Sequence, residues 1–335
     1  MTGAVFIDFR KAFDSVSHSL LLKTLYVLAI VDQEYEWFTD YLKGRPQVVG
    51  FQGAFSDAES ICVGVPQGSI LGPLLFLLHV NDLPTVARKC SMLMYADDTV
   101  LFYFGKVAAT IEKSLKEDLD LIGSWLYNNS LFLNAVKTEA MLFGTHARLS
   151  DADFGITFKG QPIKRVFEFK YLGVIFDEHI SWNSHMKYVL SRYGKRLRML
   201  ERIRENLTSI CANSIYTAYI RRIMDYCDTV WKSCGVGNSS SLERLQGRAS
   251  KIVSKTGESE RALDYRKWPS LVNRGESHVN ELVKRCIKGQ YPQFFKNCFP
   301  YNSSVHNRIT TKLNMSQLLR FRTDLAKTLF ITIVL

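Results

Sequence analysis

The chain has 335 residues, 47% of them hydrophobic, and a formal net charge of +11, so there is room for two or three domains with ordinary cores. Seven cysteines, at positions 62, 90, 211, 227, 234, 286 and 298, show no C-x2-C spacing and read as buried thiols in a reducing compartment rather than a disulfide frame or zinc site. The N-terminus carries no basic-then-apolar leader, and neither Leu74–Val80 nor Leu329–Leu335 reaches the roughly 20 residues of a membrane span, so a soluble intracellular protein is expected.

The charge is divided unevenly. Residues 1–180 hold 16 Lys and Arg against 21 Asp and Glu, a net of −5, while residues 181–335 hold 27 against 11, a net of +16. A basic half after an acidic one suggests contact with a polyanion, because phosphate neutralisation dominates nucleic-acid affinity. A general solubility surface is the competing account.

In chain order, Ala4-Val5-Phe6-Ile7 is a short apolar run ending in Asp8, a buried strand that delivers a carboxylate at its C-terminal end. Asp14 reads as a structural residue at a helix start. The stretch from Gly64 to Phe76 is a glycine-bearing loop whose backbone can approach a ligand closely, and Pro73 suits the first turn of a helix through Leu74–Leu78. Next come two apolar runs, Cys90–Met94 and Val100–Phe104, with Tyr95-Ala96-Asp97-Asp98-Thr99 between them. Adjacent residues in a strand point to opposite faces, so the Asp pair makes best sense at a hairpin turn, where both carboxylates can face a metal ion. Asp-Asp in a turn is also ordinary, since Asp favours turns. Ile111, Leu115, Leu119, Ile122 and Leu126 then form one face of an amphipathic helix that should cover the sheet.

Asp8, Asp97 and Asp98 converge on one metal site in this reading. Mg2+ prefers oxygen ligands and is commonly held by one or two carboxylates plus substrate phosphates. Two such ions, roughly 3.5–4 Å apart, can stabilise both oxygens of a phosphoryl transfer.

Further on, Met186, Val189, Leu190, Tyr193, Leu197, Leu200, Ile203 and Leu207 recur at three- and four-residue steps, with Lys187, Arg192, Lys195, Arg196, Arg198, Arg202 and Arg204 around them. One face packs and another can meet phosphates. Helical segments are also expected at about 212–230, carrying Arg221 and Arg222, and at about 242–254, with loops at Gly235–Ser241 and Thr256–Ser259. Glu281–Ile287 looks helical, and Tyr291-Pro292 and Phe299-Pro300 are breaks.

The order strand-Asp, Pro-Gln-Gly loop, Tyr-Ala-Asp-Asp hairpin resembles the reverse transcriptase palm of non-LTR (LINE-type) retrotransposons, from Phe6 to about Trp182. The wording of Gln67-Gly68-Ser69-Ile70-Leu71-Gly72-Pro73 and of Lys137-Thr138-Glu139 favours this family over the maturases and telomerase-like enzymes that share the palm. The resemblance implies an α+β fold, an antiparallel palm sheet with packed helices followed by a helical thumb. The domains would be palm at 1–183, thumb at 184–258 and a region without nameable chemistry at 259–335. It implies an RNA-directed DNA polymerase that uses two Mg2+ ions, with Mn2+ as an alternative, an RNA template, a DNA primer and deoxynucleoside triphosphates. It also implies a nuclear location.

Residue by residue, the match to Ile7–Val16 implies that Asp8 and the backbone carbonyl of Phe9 are metal ligands. Phe13 would be the gate that clashes with a 2′-hydroxyl, the group that distinguishes RNA from DNA; plain core packing would look the same. Pro66, Gln67 and Gly68 would hold the incoming nucleotide, and Asp97 and Asp98 would complete the metal site. Lys137 in Leu131–Glu139 would act as general acid toward pyrophosphate; without the family it is a solvated edge residue. Tyr171, Leu172 and Gly173 would form the hairpin that grips the primer, though two core strands would read alike, and Trp182 and His185 fall where the family often shows such residues. Arg192, Lys195, Arg196, Arg198 and Arg202 would hold the template-primer duplex. Because Asp8 stands so close to the start, the fingers and endonuclease are expected to be missing. The alternative function is a catalytically silent remnant that only binds nucleic acid.

Overall fold

The strand signal of Ala4–Ile7 is realised in the computed structural model as β1 (Thr2–Ile7), buried along its whole length. Residues 1–255 and 268–290 are described. They fall into two compact units, Met1–Phe167 and a second that begins at Glu168. The expected loop at Thr256–Ser259, the Tyr291-Pro292 and Phe299-Pro300 breaks and the apolar stretch Leu329–Leu335 lie outside the described residues.

In the first unit β1 is the centre of a five-stranded sheet with β2 (Ser91–Tyr95), β3 (Asp98–Phe104), β4 (Glu139–Phe143) and β5 (Lys164–Arg165). The strand order is β5-β4-β1-β3-β2. All neighbours are antiparallel except the short β4–β5 pair. A central strand buried on both faces reads as a continuous apolar run rather than an alternating one, as Ala4–Ile7 does.

The expected amphipathic helix is α4 (Ala108–Asn128), which buries Ile111, Leu115, Leu119, Ile122 and Leu126. Its approach to the sheet is close: a Cβ on Gly3 would lie 2.4 Å from Ile111 and 2.7 Å from Leu115. Gly3, Val5 and Ile7 therefore face α4, and the two-residue period of a strand puts Ala4, Phe6 and Asp8 on the opposite face. Asp118, on the buried side of α4, accepts the backbone N–H groups of Arg88, Lys89 and Cys90 at 3.1, 2.8 and 2.7 Å. That one carboxylate satisfies the chain just before β2.

Between β1 and β2 run α1 (His18–Val27), α2 (Asp32–Leu42), two small two-stranded ribbons and α3 (Leu71–His79). Pro73 falls in the first turn of α3, where its missing N–H costs nothing. The glycine at 72 is required there, since a Cβ would come within 2.6 Å of the Pro66 carbonyl oxygen.

The second unit starts with a hairpin, β6 (Glu168–Tyr171) and β7 (Val174–Asp177). Helices α5 (Asn183–Ile203), α6 (Ser209–Ile215), α7 (Val236–Ser254) and α8 (Leu271–Ile287) follow. Three sequence expectations change here. The helix expected at about 212–230 is broken, because Tyr226 is extended and Cys227 adopts a left-handed φ of 51°. The Gly235–Ser241 loop shrinks to Gly235 itself, φ 82°, and α7 begins at Val236. There the Asn238 side chain donates to the Cys234 carbonyl at 2.7 Å and the Ser241 hydroxyl to the Gly237 carbonyl at 2.9 Å, back-bonds four residues long that let these polar side chains sit within helical backbone. The apolar stripe of α5 buries Met186, Val189, Tyr193, Leu197 and Leu200, but Ile203 at its end is 46% exposed.

Helix α8 is tied into this unit by buried polar groups. Arg274 pairs with Asp225 at 2.7 Å and donates to the Gln246 side chain at 3.1 Å, and the Gln246 amide donates to the Pro269 carbonyl at 3.0 Å.

Candidate active site

The last pair of the β1–β3 register is Ile7 with Thr99. Continued by one residue, it sets Asp8 opposite Asp98 on the sheet face away from α4. Asp98 is the first residue of β3 and pairs with Tyr95, so the hairpin turn is Ala96-Asp97, and Ala96 sits at a positive φ of 55°. A non-glycine residue held there costs on the order of 1–2 kcal/mol. The hairpin retains that strain where the two acids project.

Crowding by surrounding atoms, then the charges of Asp97 and Asp8, raise the Asp98 carboxyl above the ordinary range. Asp98 thus feels the other two acids as like charges. Among the described residues no group of three or more His, Cys, Asp or Glu side chains is gathered tightly enough to enclose a metal ion by itself. The donor set suits an open oxygen site instead, in which a hard divalent cation would relieve the repulsion and keep coordination positions for another ligand.

The segment that carries Lys137 folds against Asp8. Phe9 and Leu133 form an antiparallel bridge, flanked by Arg10 N–H donating to the Phe132 carbonyl and Asn134 N–H donating to the Asp8 carbonyl, both at 2.8 Å. In such a non-hydrogen-bonded pair the residue's own carbonyl points outward, so the Phe9 carbonyl is directed away from Leu133. The Asn134 side chain donates to Asp8 Oδ2 at 3.0 Å, and Asp8 N–H donates to the buried Thr138 hydroxyl at 3.2 Å. Lys137 is exposed on the turn closed by Lys137 and Thr138 N–H groups donating to the Asn134 carbonyl. Sequence reasoning missed Asn134 and Thr138. Their signal was turn-forming residues inside a motif from which only the lysine was drawn.

The Pro-Gln-Gly loop is zipped to the segment after β1. Val65 N–H donates to the Phe13 carbonyl at 2.9 Å and Gly64 N–H to that of Val16 at 2.7 Å, and His18 Nε2–H donates to the Gly64 carbonyl at 2.7 Å. Phe13 is half-buried, with its ring stacked on Phe76 at 4.6 Å between centroids. Asp14 departs from the helix-start expectation: it lies inside a 3-10 turn whose N-cap is Ala12, and it accepts from the Gln67 amide at 2.8 Å. Gln67 and Gly68 are exposed and Pro66 is half-buried. Asp14, His18, Arg45, Gln47, Pro66 and Gln67 are among the residues lining a cleft of about 690 Å³.

Tyr171, Leu172 and Gly173 fall in the second unit. Tyr171 is buried, and Leu172 and Gly173 make the two-residue turn at φ 44° and 85°. The Tyr226 hydroxyl donates to the Leu172 carbonyl at 2.6 Å. Trp182 and His185 are buried structural groups. Asp177 accepts the N–H groups of His179, Ser181 and Trp182 and so orders the entry to α5. Burial pushes the His185 imidazole down to about 4, and its Nδ1 accepts from Ile175 N–H at 3.2 Å.

The basic side chains of α5 divide into two sets. Arg204 is buried and donates to the carbonyls of Leu207, Ile252 and Val253 and to the Ser209 hydroxyl, so it does not belong to a phosphate-facing set. Arg192, Lys195, Arg198 and Arg202 are exposed. Arg196 lies over the Tyr219 ring at 3.9 Å and donates to the Tyr219 carbonyl at 2.6 Å. Lys170, Tyr188, Arg192, Arg196, Arg222 and Tyr226 line a cleft of about 330 Å³ with no acid among its described lining residues. A hydrogen bond from Lys170, more than the Arg192 charge, draws the Tyr188 hydroxyl below its usual range.

Residues 1–176 match the family model described as "Reverse transcriptase (RNA-dependent DNA polymerase)". The probable RNA-directed DNA polymerase from transposon BS of Drosophila melanogaster is 28% identical over 75% of this chain and 29% of its own length. The RNA-directed DNA polymerase from mobile element jockey of the same species is 25% identical over 84% and 32%. The chain therefore spans about a third or less of these relatives' length. A telomerase structure from Candida albicans, solved with a fragment of telomeric RNA, is 13% identical over 80% of this chain and 51% of that one. Its TM-score of 0.41 makes it too distant to carry an argument. The acid-bearing sheet, the zipped Pro-Gln-Gly loop and the matched 1–176 region together lead to one conclusion: this chain belongs to the reverse transcriptase family, in the group carried by non-LTR transposons.

Proposed function

We propose that this chain carries the nucleotidyl-transfer site of an RNA-directed DNA polymerase, in which a primer 3′-hydroxyl attacks the α-phosphate of a deoxynucleotide and pyrophosphate leaves. The observation that carries this is the set of like-charged neighbours around Asp98 at the strand ends. An acid raised by crowding and by like-charged neighbours in an open site is a candidate for function rather than stability. Asp8, Asp97 and Asp98, with the Phe9 carbonyl, would hold two divalent cations, Mg2+ or Mn2+. When bound, these would supply electrostatic stabilisation of the attacking and leaving oxygens.

The chain's own groups then position and exclude. Phe13, braced on Phe76, occupies the space of a ribose 2′-hydroxyl and selects deoxynucleotides. Pro66, Gln67 and Gly68 support the nucleotide, with Asp14 orienting the Gln67 amide. Lys137 delivers a proton to pyrophosphate as it departs. Tyr171, Leu172 and Gly173 hold the primer end, and the exposed cations of α5 hold the RNA–DNA duplex. Residues 1–183 act as palm and 184–258 as thumb. Catalysis of this kind is positioning plus electrostatics.

The test is primer extension on an RNA template with deoxynucleotides and Mg2+, comparing the chain with its Asp97→Ala, Asp98→Ala double variant. Incorporation that vanishes in the variant supports the polymerase. Incorporation by neither, with duplex binding retained, supports the silent remnant instead.

A further inference from the structure

We infer that Asn134 is the positioning residue of this site: its amide fixes which oxygen of Asp8 is presented to the cations, and its turn sets Lys137 in a constant relation to Asp8. The inference rests on the metal-binding reading of Asp8.

Asp8 stands one residue beyond the end of β1, where the extended register sets its face of the sheet but not its side-chain torsion. Three contacts from the 134–138 turn replace that constraint. Asn134 N–H donates to the Asp8 carbonyl at 2.8 Å, Asp8 N–H donates to Thr138 Oγ1 at 3.2 Å, and Asn134 Nδ2 donates to Asp8 Oδ2 at 3.0 Å. The first two lock the backbone, and the third locks the carboxylate torsion. With Oδ2 engaged by the amide, Oδ1 is the oxygen that the amide leaves for a cation.

The residue type matters as much as the contact. A cation-bearing donor at 134 would neutralise Asp8 and compete with a metal, while an acid would add a fourth like charge to Asp8, Asp97 and Asp98. A neutral amide orients without doing either. It is also short enough to bond the carboxylate while its own backbone N–H bonds the same residue's carbonyl. The carbonyl of Asn134 in turn accepts from Lys137 N–H at 3.1 Å and Thr138 N–H at 2.9 Å, so the lysine is carried by the structure that holds the acid. Holding reacting groups in fixed relation is worth large factors in rate, and small displacements are costly.

The experiment measures Mn2+ binding to the full chain directly, by the electron paramagnetic resonance signal of free Mn2+, with no primer or template present. Asn134→Ala should weaken binding about tenfold while the melting temperature without metal stays within about 2 °C. Asn134→Gln, which keeps an amide, should recover part of the loss. Asn134→Leu has the shape without the amide; it must show the same weakening, and it decides the matter if the alanine variant fails to fold. Unchanged Mn2+ binding in a folded Asn134→Ala or Asn134→Leu chain, with binding lost in Asp8→Ala, overturns the role of Asn134 and leaves the metal reading intact. Wild-type binding that does not depend on Asp8 overturns both.

Discussion

Asp98 in the first unit and Asp225 in the second are both carboxylates in crowded surroundings, and their neighbours differ in sign. The charges that act on Asp98 are those of Asp97 and Asp8, whereas Asp225 lies between Arg221 at 3.2 Å and Arg274 at 2.7 Å. One arrangement gathers like charges, a repulsion that a bound cation would lower. The other is completed by the chain and joins α8 to the helices before it. The same contrast separates Arg204, whose donors are spent on four acceptors within the unit, from exposed Arg198 on the same basic run. Formal charge along a sequence therefore does not distinguish a group that binds from one that builds; its partners do.

The largest effect should come from the acids at the strand ends. Asp98→Ala is expected to lower primer extension by about 10³-fold, about 4 kcal/mol of barrier, with little change in the circular dichroism spectrum. Asp225→Ala should act the other way round, through loss of fold. Among the builders, Arg204→Ala leaves buried carbonyls without donors and should cost about 3 kcal/mol in denaturant unfolding, against less than about 0.5 kcal/mol for Arg198→Ala. Equal costs for the two arginines would erase the distinction drawn here. Asp118→Ala strands three backbone N–H groups in the first unit and should cost about 2–3 kcal/mol, although Asp118 belongs to no proposed site. Smaller still, Arg192→Ala and Arg222→Ala should each reduce the logarithmic salt slope of duplex binding by about 1, and Arg198→Ala should do so only if the duplex lies across the exposed face rather than in the Lys170–Arg222 cleft.

Much of this was legible in the sequence where local patterning and tertiary need agree. The α4 stripe, the β2–β3 hairpin and the strand ending in Asp8 all follow from local patterning: the stripe residues are buried on one helix, and the three strands formed within two residues of their expected ends. The misses are of two kinds, local and long-range. Gly235–Ser241 looked like a loop because serine and asparagine bond backbone readily, yet here those bonds serve the first turns of α7. Arg204 looked like a surface cation because its spacing matched its neighbours, and only the approach of the α7 carbonyls of Ile252 and Val253 shows that it is buried. Asp14 looked like a cap, but its partner is Gln67, 53 residues away. For Arg204 and Asp14 the deciding partner lies in space and not in the local pattern, and Asn134 beside Asp8 is the same kind of case inside the site.

The repulsion at Asp98 also fixes a pH dependence. A carboxyl whose folded pKa is raised holds its proton more tightly in the folded state, so stability falls as pH rises from the unfolded value of about 3.9 through the raised folded one. The penalty is then fully present at neutral pH. Because the side chain still reaches solvent, it should stay below about 1 kcal/mol. The most direct test is the melting temperature of wild type and Asp98→Asn at pH 7, with chelator and then with Mg2+. The account predicts that the variant melts higher in chelator and that Mg2+ raises the wild type more than the variant. A variant that melts lower in chelator, or a wild type that Mg2+ leaves unchanged, would contradict the claim that these three acids are a cation site.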